Sequence, residues 1–135
     1  MSDTRTLIKL IRDGVKSQYK YANCCEICKT TEKLELHHYF TIFFLLEKFM
    51  KTYKESSSDE ERKLFREEFI AQYREELVNE TVTLCEEHHT LLHKLYGSKP
   101  SLVTASKQKL WVVKQYNKIF NPSLVVSTGF GKFKV

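Results

Sequence analysis

Two short dyads, Cys25-x-x-Cys28 and Cys85-x-x-His88, constrain this chain more than any other feature. A two-residue gap lets a tight turn aim two ligands at one ion, and three thiolates with one imidazole are a tetrahedral structural set for zinc. The dyads lie far apart in sequence, so a shared ion would clamp distant segments together. A chain of 135 residues is expected to form one domain with a modest core, where such a clamp matters. Cys24 could replace Cys25, but the spacing favours Cys25 and leaves Cys24 as a packed or free thiol. The first residues carry no apolar leader, and no run of about 18 apolar residues would cross a membrane. The expectation is therefore a soluble, cytoplasmic protein whose cysteines bind metal rather than form disulfides.

The five histidines all fall inside the same two blocks. His89 and His93 are four positions apart on an expected helix, so they project from one face and can share an ion. His37 and His38 are adjacent at a strand end, so their side chains point apart. One of the two can join His89 and His93 while the other acts as a base, a role that suits imidazole near neutral pH.

Periodicity places the blocks among helices. Leu7, Ile8, Ile11, Val15 and Tyr19 predict a helix over 4–21, capped by Asp3 or Thr4. Leu34-Glu35-Leu36 alternates like a strand, as does Val82-Thr83-Leu84. Between them, Ile42 to Tyr53 and Phe65, Phe69, Tyr73 and Leu77 mark two helices, the second opened by Ser58 and Glu61 as a capping box. A helix over about 86–96 ends at Gly97. Thr104 caps a last helix to about Phe120, and residues 121–135 read as extended or loose.

Charge is uneven. Residues 1–40 balance at +2 and 41–93 at −5, whereas 94–135 hold eight lysines and no acidic residue, for a net +5 overall. A basic segment beside an acidic middle suggests one face for a polyanion and one for water. On the last helix Lys107, Lys114 and Lys118 fall near one stripe, suited to phosphate contacts, while Leu110, Val113 and Ile119 can face the core. Trp111 is read as a packing residue.

Cys25-Glu26-Ile27-Cys28, Leu34-Glu35-Leu36-His37-His38 and Leu84-Cys85-Glu86-Glu87-His88-His89-Thr90-Leu91-Leu92-His93 together resemble the zinc-stapled HNH (ββα-metal, His-Me finger) endonucleases. Small phage homing endonucleases are similar. The resemblance implies an α+β, mostly helical fold: a zinc-stapled ββα-metal finger over 24–97, flanking N- and C-terminal helices, and a helical hairpin inserted at about 41–78. It implies a single nuclease domain over 1–135, with 98–135 as a basic DNA-contacting segment. It makes Cys25, Cys28, Cys85 and His88 the ligands of a structural zinc ion. His37, His89 and His93 become ligands of a catalytic divalent ion (Mg²⁺, Mn²⁺, Ni²⁺ or Zn²⁺), and His38 the general base. The second zinc dyad of the family ends in Cys where this chain has His88. The family's asparagine, which braces the loop carrying the base, falls at Glu80, so its neighbour Asn79 takes the supporting role.

The activity implied is metal-dependent hydrolysis of double-stranded DNA, by nick or double-strand break, in the bacteriophage-infected host cytoplasm if the chain is phage-encoded. A homodimer or a phage protein partner is compatible with it. The alternative is a non-catalytic zinc-finger DNA- or RNA-binding adaptor, or an accessory protein that binds a partner through the hairpin. The two divide on whether replacing His38 removes cleavage.

Overall fold

The computed structural model describes residues 4–53 and 58–123. The expectations for Asp3 and for the tail beyond residue 123 lie outside them. The architecture is α+β and mostly helical, as expected: the described residues form five α-helices around one two-stranded antiparallel sheet.

Helix α1 (Thr4–Val15) buries Leu7, Ile11 and Val15, the spacing that one helix face requires. It stops short of the predicted end: a single 3₁₀ turn, Lys16–Gln18, follows and Tyr19 is extended. The extended backbone carries the Tyr19 ring to the edge of His38, centroids 5.2 Å apart. Helix α2 (Ile42–Met50) and helix α3 (Asp59–Arg74) fill the segment between the two motif blocks. Ser58 caps α3, its Oγ accepting from the Glu61 N–H at 3.1 Å and donating to the Glu61 carboxylate.

The inserted pair does not stand alone. Its Leu45, Leu46, Phe49, Phe65, Phe69 and Tyr73 join Leu7, Ile11 and Val15 of α1 in one apolar cluster. Phe49 meets Phe65 and Phe69 edge-on at 5.5 and 5.3 Å, favourable aromatic geometries. Helices α1 and α3 approach closely at Gly14, where a Cβ would stand 3.1 Å from Ile70 Cδ1. The predicted stripe continues to Leu77, but not as α-helix. Tyr73 departs from helical angles and Glu75–Asn79 forms a π-helical turn, closed by Glu80 N–H on the Glu75 carbonyl at 3.0 Å.

Strand β1 (Leu34–His38) pairs with β2 (Thr81–Cys85) from Leu34 opposite Cys85 to His38 opposite Thr81. The cysteine turn is tied to this sheet: Ala22 N–H reaches Thr83 Oγ1 at 2.9 Å, and Glu26 N–H the Thr83 carbonyl at 2.9 Å. Helix α4 (Glu86–Tyr96) leaves β2 directly and ends at Gly97, whose φ of +94° is a conformation glycine adopts without strain. Helix α5 (Ala105–Phe120) closes the second cluster, made of Cys25, Ile27, Tyr39, Leu84, Cys85, Leu92, Ala105 and Val112.

One face assignment on α5 is corrected. Leu110, Val113 and Ile119 are 54%, 52% and 48% exposed, and the buried face is Ala105, Gln108 and Val112. The helix is rotated because a polar residue, Gln108, is buried by hydrogen bonding where an apolar pattern looks only for aliphatic side chains. Thr104 flanks α5 without an N-cap bond from its side chain. Its Oγ1 instead donates to the Ser101 carbonyl at 2.7 Å. Trp111 is partly buried against the second cluster.

Candidate metal centres

The first centre gathers both dyads. Cys25, Cys28, Cys85 and His88 present ligand atoms that all lie within 4.8 Å of one another, close enough to bind one metal ion. Cys28 Sγ is 3.8 Å from Cys85 Sγ, and His88 Nδ1 is 3.3 Å from Cys85 Sγ. The local chain supports this. Lys29 adopts φ +66° and returns its N–H to the Cys25 carbonyl at 3.0 Å, folding the first dyad into a knuckle. Cys85 sits at the N-terminus of α4 and accepts the His88 N–H at 3.4 Å. Ile27 N–H points at Cys25 Sγ at 3.4 Å. Burial raises the Cys25 thiol, but N–H groups of Cys28, Cys85 and Ile27 outweigh it and draw the group below its usual range. Burial pushes Cys85 up, against the His88 N–H. Cys24 is half-buried and lies outside this ligand set.

The second centre is built from His37, His89 and His93, whose ligand atoms also lie within 4.8 Å of one another. His89 Nε2 is the hub, 3.1 Å from His37 Nδ1 and 3.1 Å from His93 Nε2. The other nitrogen of each ring faces an oxygen: Glu35 Oε1 for His89 at 2.6 Å, the Gly97 carbonyl for His93 at 2.8 Å, and Gln108 Oε1 for His37 at 2.7 Å. Oxygens that can accept thus stand behind all three rings, and the inner nitrogens are the ones turned toward a common ion. Metal–imidazole bonds of about 2.0–2.1 Å fit their 3.1 Å spacing. Imidazole nitrogens are borderline donors, a set that suits first-row transition metals.

His38 lies on the other face of β1, as the period of a strand dictates. Burial, then the positive charge of Arg12, hold its imidazole down to about 4, so the ring is neutral at pH 7. The Leu77 carbonyl, in the π-helical turn, takes a hydrogen bond from the ring. Nε2 is buried and meets no hydrogen-bonding partner among the described residues. His37 is likewise held to about 4, first by burial.

A cleft of about 170 Å³ joins these groups. It is lined by Arg12, His37, His38, His89 and His93 among others. A second cleft of about 300 Å³ runs along His89, Thr90, His93, Lys94 and Ser98. His89 and His93 thus form a wall common to both clefts, each of which carries a cationic side chain.

Asn79 is not brought to the histidines. Its side chain is exposed, receives the Lys20 ammonium at 2.6 Å and donates to Glu75 at 2.8 Å. Bracing at the end of β1 comes instead through Glu80, whose carbonyl accepts the Tyr39 N–H at 3.1 Å and whose carboxylate pairs with Lys109. Lys107, Lys114 and Lys118 are exposed along α5, and Lys107 and Lys114 flank Trp111 and Tyr96 in a small surface cleft. Sequence reasoning missed Arg12, Glu35, Gln108, the Gly97 carbonyl and the Leu77 carbonyl. Only Glu35 carried a signal: it is a carboxylate two residues before the histidine pair, on the strand that delivers it.

Among the described residues no helix is long and apolar enough to cross a membrane. No solved structure matches the chain. The model of the phage T5 Nicking endonuclease family matches residues 2–124.

Proposed function

The chain belongs to the phage T5 Nicking endonuclease family, and from that premise we propose a metal-dependent HNH-type nuclease that nicks double-stranded DNA. The observation that carries this reading is the convergence of His37 Nδ1, His89 Nε2 and His93 Nε2 beside a fourth imidazole, that of His38, in one cleft.

His37, His89 and His93 hold one divalent ion, which supplies Lewis-acid stabilisation of the phosphate charge when bound. His38 lines the cleft and takes the proton from the attacking water, while the Leu77 carbonyl accepts a hydrogen bond from its ring. Arg12 stands in the same cleft and contributes positive charge toward a phosphate oxygen. Lys94 lines the adjoining cleft, suited to a neighbouring phosphate on the same strand. Lys107, Lys114 and Lys118 bind the duplex backbone from α5. Cys25, Cys28, Cys85 and His88 hold a structural zinc ion that fixes β1 and β2 against the start of α4.

The test is a supercoiled plasmid incubated with the protein and, in turn, Mg²⁺, Mn²⁺, Ni²⁺ or Zn²⁺. Wild-type protein yields open-circular product with at least one ion. His38→Ala lowers the rate by about 10²–10⁴-fold, the usual contribution of a general base, with DNA binding and zinc content unchanged. Cleavage that is independent of divalent ions, or that survives in His38→Ala, sinks the proposal.

A further inference from the structure

Gln108 lies outside both motif blocks, on α5, and is 0% exposed. A buried amide is tolerated only when its donors and acceptor are matched, and here they are. Its Nε2 donates to the Tyr39 carbonyl at 3.3 Å and to Thr104 Oγ1 at 2.9 Å. The Tyr39 carbonyl can only accept. The Thr104 hydroxyl is already committed as a donor to the Ser101 carbonyl, so its oxygen accepts as well. Both contacts therefore fix the amide nitrogen on that side and turn Oε1 toward His37 Nε2, at 2.7 Å.

We infer that Gln108 is a positioning residue for the metal centre: its amide oxygen locks His37 in the Nε2–H tautomer and so aims Nδ1 at the ion. The amide cannot flip without facing its nitrogen at an N–H donor and its oxygen at a carbonyl. The His37 ring also meets Tyr39 edge-on, centroids 5.5 Å apart. The chain of bonds from Ser101 through Thr104 and Gln108 to His37 ties the ligand from the first block to α5. That helix also carries the exposed lysines assigned to DNA, so backbone contact and ligand aim share one rigid element. An outer hydrogen-bonding partner of this kind commonly changes metal affinity by about 10–100-fold.

The consequence for metal binding rests on the histidines holding an ion, as proposed above, whereas the tautomer itself can be read without one. Long-range ¹H–¹⁵N spectra of the protein with metal at the thiolate centre alone should place the His37 proton on Nε2. A proton on Nδ1, or an even mixture, overturns the inference. Co²⁺ titration then reads the affinity of the histidine centre, identified as the absorption lost in His37→Ala. Gln108→Met keeps the side-chain length and removes the bond, and should bind Co²⁺ about 10–100-fold more weakly with unchanged metal content at the thiolates. Equal affinity overturns the inference.

If the methionine variant folds poorly, Gln108→Glu carries the test. Buried as a neutral acid, the glutamate donates its proton to the Tyr39 carbonyl and keeps its other oxygen accepting from His37 Nε2, so Co²⁺ affinity should equal that of wild type, and weaker binding overturns the inference. A wild-type protein with the Nε2–H tautomer and no Co²⁺ at the histidines would sink the nuclease reading while leaving the tautomer assignment intact.

Discussion

The two centres use the same residue vocabulary for different ends. Around Cys85, soft donors meet in the second apolar cluster, with two of the three thiols buried and N–H groups turned toward their sulfurs. Around His89, three imidazole rings stand at the wall of a cleft, each gripped from behind by an oxygen. A ligand set that closes on itself holds segments together, and one that leaves a side to solvent can admit a substrate. The comparison separates structure from chemistry within one short motif: His88 belongs to the first centre and its neighbour His89 to the second.

The sharpest way to break that division is Cys28→Ser. If the thiolate centre is structural, its loss removes a contribution on the order of 10 kcal/mol, the scale of zinc sites in small domains. Calorimetry should then show no cooperative unfolding transition, and metal analysis no tightly held zinc. A variant that melts normally and still nicks DNA would erase the distinction.

Next comes the helical cluster, which supplies no ligand to either centre. Phe69 is 0% exposed, and Phe69→Ala should cost about 3–5 kcal/mol, read as a lowered denaturant midpoint. At a temperature where the variant is folded, zinc content should equal that of wild type.

A smaller effect sharpens the histidine side. Glu35→Gln replaces the carboxylate facing His89 and should weaken divalent-ion affinity by about 10–100-fold, with thermal stability nearly unchanged. Parallel losses of stability and affinity would mean that the two centres are not separable. Smallest of all, Lys107→Ala, Lys114→Ala or Lys118→Ala should each weaken DNA binding uniformly across sequences. Each should reduce the salt dependence by about one unit of slope, leaving both metal centres unaffected.

Much of the fold was legible because its signals are local. The Cys-x-x-Cys and Cys-x-x-His spacings, the His89–His93 pair, the Ser58 cap and the Gly97 stop each depend on neighbours within a turn or two. Helix α4 accordingly runs over the predicted span, and both strands appear where alternation places them. The rest was hidden for identifiable reasons. The π-helical turn at 75–79 follows an apolar stripe that a regular helix would also produce, and nothing local marks the extra residue. The buried face of α5 turned on Gln108, whose burial depends on partners supplied by Tyr39 and His37, far away in the chain. Asn79 was chosen by adjacency, yet its side chain answers to Lys20 and Glu75.

By itself, then, the sequence determined which side chains can bind metal and on what local scaffolds they stand, because ligand chemistry and helical or strand period are properties of short segments. Only the tertiary structure decided which nitrogen of each imidazole faces inward, which oxygen holds it there, and that Arg12 of the first helix shares the cleft. Those outcomes depend on contacts between residues distant in sequence, and hydrogen-bond direction is fixed only when both partners are in place.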